Sequence, residues 1–176
     1  MKMILNIFSL ILLSTSLFSQ TAEEKSMIVE INKLRSNPSS YIKVIEDFKK
    51  MKTSTTIGGF TVTRKSNTDW VKECDETINF LKTSKPVDTL TFDNVMHNKL
   101  TNYKFVGEHT SLNTNGTENF VGSDYDVKFA LALLLIDAGY TVKGHRLNLM
   151  DPKAKKVSVK KVNYNNTVFY VQDFTY

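Results

Sequence analysis

The chain has 176 residues, a formal net charge of +5 and one cysteine, Cys74. One cysteine excludes an internal disulfide framework, so the core alone must hold the fold. The positive excess does not predict a nucleic-acid platform: its densest cluster, Lys153, Lys155 and Lys156 with Lys160 and Lys161, lacks interleaved aromatics and reads as a solvated face.

Lys2 precedes an apolar run from Ile4 to Leu13, followed by small, polar and then acidic residues, the layout of a secretory signal peptide. A membrane-spanning helix needs about 20 apolar residues, roughly twice this run. Residues 1–20 are therefore expected to be removed, and no second apolar span follows. The remaining residues, 21–176, fit a single domain that is soluble and secreted, or periplasmic.

In the mature part, Met27, Ile28, Ile31 and Leu34 recur at helical spacing until Pro38. Pro38 and Ser39 then start a second amphipathic stripe through Tyr41, Val44, Ile45 and Phe48. Residues 53–67 are rich in β-branched residues and glycine and read as a loop or short hairpin. Helical period returns at Trp70, Val71, Cys74, Ile78 and Leu81, and Pro86 closes that segment. Cys74 lies on its apolar face, where a buried, inert thiol is expected. Met96, Leu100 and Tyr103 suggest a fourth helix after a turn at 92–94.

Residues 107–123 have no apolar period and many turn formers, so they read as a loop. From Ser123 a Ser-x-x-Asp capping signal leads into a run that is apolar on every side from Phe129 to Ile136, a helix buried all round that Gly139 ends. Residues 155–162 and 167–176 alternate with period two about "NYNN", a closing hairpin. Helices around a small antiparallel sheet predict one α+β domain or an α/β/α layered one.

Chemistry-bearing candidates are few. His97 falls inside the fourth helical pattern and reads as a surface or partly buried side chain. His109 stands in the long polar loop, nine residues before Glu118. His145 follows Gly144 shortly after the buried helix ends at Asp137. Two imidazoles with one or two carboxylates can hold a divalent metal, zinc above all, or share a proton. The histidines are 36 residues apart, so nothing local forces them together.

The segments "INKLRSNPSSYI", "LTFDNVMHNKL", "EHTSLNTNGTENF", "LLLIDAGYTVKGHRLNLMDPKAKKVSV" and "FYVQDF" resemble the CAP superfamily of cysteine-rich secretory, antigen 5 and pathogenesis-related proteins. The likeness is greatest to its disulfide-free bacterial and protist branch and runs from about Ile28 to Phe174, with 134–159 its most specific part. It implies a three-layer α/β/α sandwich with an open cleft that holds His109, Glu118, Asp137 and His145. It further implies that His109 and His145 bind zinc or another divalent cation, with no organic cofactor. Thr117 stands where the family has a glycine before the glutamate, Asp137 is shorter than the common glutamate, and Ser158 replaces a glycine after the strand valine.

Beside these, Gly144 is expected to let the backbone turn, and Arg146 and Asn148 to brace that turn by hydrogen bonds. No G-x-S-x-G nucleophile motif is present. The reading is an extracellular binding or interaction module for a protein, lipid or cell-surface ligand. The alternative is a zinc-dependent, peptidase-like hydrolase in which Glu118 acts as general base. A nuclease reading of "GHRLN" lacks the Asp-Arg expected before Gly-His.

Overall fold

The computed structural model describes residues 20–50, 56–57, 60–61, 70–101, 116–122, 126–164 and 167–176. The proposed signal segment lies outside them except for Gln20, and so do Tyr103, His109 and Ser123. The fold is α+β. In chain order the described elements are α1 (Ala22–Ser36), a 3₁₀ turn (Pro38–Tyr41), α2 (Ile42–Lys49), β1 (Thr56–Ile57), β2 (Phe60–Thr61), α3 (Trp70–Thr83), β3 (Thr91–Phe92), α4 (Asn94–Thr101), β4 (Gly116–Gly122), α5 (Val127–Ile136), α6 (Gly144–Leu149), β5 (Lys156–Tyr164) and β6 (Thr167–Thr175). β1 and β2 form a small antiparallel pair.

The main sheet has the order β3-β5-β6-β4. Its strands are antiparallel except that β3 runs parallel to β5, so the sheet is mixed where sequence pattern suggested purely antiparallel. Two further expectations are corrected here. Residues 116–122, read as loop, are a strand, because seven consecutive registered pairs with β6 supply the order that local propensity lacks. The segment 144–149 is a short helix rather than a turn.

Alternation sorts the strands onto two faces. Val157, Val159, Val121, Tyr170 and Phe174 join the main core with α1, α3 and α5. On the opposite face Val171 packs with Met96 and Leu100 of α4, flanked by Phe120 and Val162. α5 lies in the main core with Leu131, Leu135 and Ile136 fully buried, which is why its sequence shows no polar side. Asp126 is its N-cap, accepting from the Phe129 amide at 2.8 Å, so the helix begins three residues later than the Ser-x-x-Asp signal from Ser123 predicted.

β3 covers only two residues of β5, so the remaining edge groups of β5 need other partners. His97 of α4 donates from Nδ1 to the Val159 carbonyl at 3.1 Å. Two residues on, the Lys161 amide donates to Glu24 Oε1 at 2.9 Å. The same Glu24 completes a capping box with Thr21 at the start of α1. His97 is therefore fully buried, not a surface side chain.

Two polar residues of α1 anchor the incoming segment. Asn32 exchanges two bonds with the Leu90 backbone, at 2.9 and 2.7 Å, as a neighbouring strand would. Arg35 is fully buried and donates to the carbonyls of Asp88, Leu149 and Asp151. Burial pulls its guanidinium pKa down, offset by the charges of Asp151 and Asp88. These contacts fix the segment after α6 against the end of α1.

Candidate functional site

α5 runs out of helix at Ile136. Asp137 takes a left-handed conformation with φ of 50° and returns its amide to the Leu133 carbonyl, a position that aspartate tolerates better than most residues. Gly139 follows with φ of 81°, so these two residues turn the chain. Gly144 does not: no positive φ occurs there, and a side chain built on it would meet nothing within 4 Å. The expected turning role of Gly144 is corrected to Asp137 and Gly139.

The loop that results is tied down at both ends. Lys143 donates to the Asp137 carbonyl at 3.1 Å and pairs with Glu73 of α3 at 2.5 Å. Arg146 reaches back to the last carbonyls of α5, donating to Leu135 at 2.6 Å and Ile136 at 3.1 Å, and to Thr77 Oγ1 at 2.7 Å. Helix ends leave such carbonyls without intrahelical partners, and a forked guanidinium suits them. Its pKa is drawn down by burial against the opposing pull of Asp137, Glu73 and Glu76.

Asp137 and His145 then meet directly. The carboxylate accepts from His145 Nδ1 at 2.8 Å through Oδ1 and from the His145 amide at 3.0 Å through Oδ2. The Asp137 side chain is 1% exposed and the His145 side chain 23%. With Nδ1 donating, Nε2 is the acceptor left on the neutral ring, and among the described residues it has no partner. Tyr140 packs edge-on against the ring at 5.8 Å. Tyr140, Val142 and Leu147 are all more than half exposed.

Asn148 does not cap the turn that follows it. Its amide donates to the Glu118 carbonyl at 3.3 Å and to Asn119 Oδ1 at 2.9 Å, which staples α6 to β4. Asn119 in turn donates to the His145 carbonyl at 3.2 Å and to Gln172 Oε1 at 3.3 Å. Asn119 thus faces α6, and by alternation the carboxylate of Glu118 lies on the other face of the sheet. There it opposes Asp173 of β6.

The four residues expected in one cleft are therefore not all brought together. Asp137 and His145 are in contact, Glu118 is on the far face, and His109 lies outside the described residues. Placing Glu118 away from the imidazole removes the geometric support for it as the general base of a hydrolase acting at His145. Among the described residues no group of three or more metal-binding side chains occurs. Both Asp137 oxygens are engaged by His145, so a metal there would bind at Nε2 with Asp137 behind the ring, an arrangement common for metal-bound histidine.

Sequence reasoning missed Asn119, Glu73 and Asp173. A signal existed for Asp173: "YVQDF" places two polar residues, one for each face, inside an otherwise apolar strand, and Gln172 and Asp173 are both fully buried. A groove of about 440 Å³ also runs beside α6, lined by Phe80, Val87, Leu147, Asn148, Met150 and Tyr176 among others.

Comparison with family models, curated proteins and solved structures finds no match to this chain.

Proposed function

We propose that the chain is a CAP-type domain with a three-layer α/β/α arrangement, secreted or periplasmic, that acts as an extracellular binding module. The observation that carries this reading is the doubly bonded Asp137–His145 pair, which orients a partly exposed imidazole beside Tyr140. A groove beside α6, lined by Leu147 and Asn148 rather than His145, has the volume of a small-ligand site. In this reading His109 and His145 hold zinc, which supplies a Lewis-acid point for an oxygen- or nitrogen-bearing protein, lipid or cell-surface ligand.

The test is calorimetric titration of the protein with zinc, and separately with lipid vesicles, alongside His109→Ala and His145→Ala. The expected result is binding that weakens at least tenfold in both variants. Binding equal to that of the unmodified protein in both variants overturns the reading.

A further inference from the structure

Ser158 of β5, Asp173 of β6 and Glu118 of β4 stand opposite one another on a single rung of the sheet, on the face covered by α4. Asp173 is fully buried and, among the described residues, neither carboxyl oxygen has a hydrogen-bond partner; nor does the hydroxyl of fully buried Ser158. Directly opposed side chains on neighbouring strands lie about 5 Å apart at Cβ. Two carboxylates at that spacing, one of them dry, cannot both be ionised at modest cost.

The next rung holds the candidate site. Asn119 opposes Gln172, one residue along each strand, and Asn119 is the side chain that grips the His145 carbonyl. Among the described residues, β4 pairs in the sheet with β6 alone. Repulsion between Glu118 and Asp173 therefore acts on the strand pairing that, together with Asn148, positions Asn119.

We propose that Asp173 is held protonated in its dry position opposite Glu118, and that loss of its proton loosens the β4–β6 pairing and with it the hold of Asn119 on His145, making the candidate site sensitive to pH. This goes beyond the binding reading above and does not depend on which ligand binds.

The surroundings agree. Burial, then the charge of Glu118, then that of Asp93, raise the Asp173 pKa from 3.8 to about 7. Asp93, just before α4, is bonded to the Met96 amide and Thr175 Oγ1. His97 of α4 is bonded through Nδ1 to Val159, with Nε2 buried and, among the described residues, unpartnered. On β5, Lys160 is drawn to Glu24 and Lys156 is exposed.

Carboxyl-carbon NMR of the ¹³C-labelled protein between pH 4.5 and 9 tests the proposal, with the Asn119 side-chain amide and the His97 ring followed in the same samples. The expected result is a single Asp173 step near neutrality, an Asn119 shift with the same midpoint, and loss of that shift in Asp173→Asn, whose neutral amide mimics the protonated acid. Glu118→Gln provides an independent arm: removing the neighbouring charge should lower the Asp173 midpoint by at least half a pH unit. An Asp173 midpoint in the ordinary carboxylate range, an unmoved midpoint in Glu118→Gln, or an Asn119 shift that follows His97 overturns it.

Discussion

Asp137 holds His145 by two atoms at once, ring Nδ1 at 2.8 Å and backbone amide at 3.0 Å, across a gap of eight residues. The left-handed turn at Asp137 makes this possible by aiming its side chain along the loop towards α6. Asp137→Asn keeps the shape and tolerates the same φ but replaces one accepting oxygen with an NH₂ group. The expected outcomes are loss of the fixed Nδ1–H tautomer, read by ¹⁵N NMR of the imidazole, and, for the proposed zinc site, an affinity lower by about 10- to 100-fold. An unchanged tautomer would show that the carboxylate does not orient the ring.

Asp173 gives a stability profile with a definite sign. Its folded pKa of about 7 lies above its reference value of 3.8, so between these values the native state binds a proton that the unfolded state has released. The contribution is neutral below about pH 4, becomes progressively destabilising as pH rises towards 7, and is constant above. Asp173→Asn removes it. In urea denaturation the variant should match the unmodified protein near pH 4 and exceed it by up to about 4 kcal/mol at pH 8. Parallel curves across that range would contradict the raised pKa.

Arg35 satisfies three carbonyls from a fully buried position. A lysine at this place carries the charge without the fork, and one ammonium cannot reproduce the spread of contacts. Arg35→Lys should cost about 2–4 kcal/mol in guanidinium denaturation, since it leaves buried carbonyls unpaired. A loss under 1 kcal/mol would mean that the segment after α6 is held by other contacts.

Glu24 joins the start of α1 to the uncovered edge of β5. Glu24→Ala should cost about 2–3 kcal/mol, combining a lost cap with an unpaired strand amide. Hydrogen exchange at the Lys161 amide should rise with it. Glu24→Gln retains one accepting oxygen and should lose roughly half as much. Equal losses in the two variants would assign the effect to the helix cap alone.

Much of the framework was legible in the sequence because it rests on local periodicity. The stripes through Met27, Ile31 and Leu34, through Trp70, Cys74 and Leu81, and the unbroken apolar run of α5 each follow from 3.6-residue spacing, and the β5–β6 hairpin from strict alternation. The CAP resemblance likewise drew attention to Asp137 and His145, which prove to be in contact.

What only the tertiary structure decided depends on partners far apart in the chain. β4 carries glycine, threonine and asparagine that favour turns, and becomes a strand because β6, more than 40 residues later, supplies its hydrogen bonds. Glu118 was legible as an acidic residue, but the sheet face it occupies follows from register, and a one-residue slip would reverse it. Asp173 reads as an ordinary carboxylate in the sequence; packing α4 over the sheet and placing Glu118 opposite make it a buried acid that holds its proton to neutral pH. Residue type and spacing set which helices and which hairpin form, whereas the environment of each ionisable group exists only once distant strands are paired and desolvated.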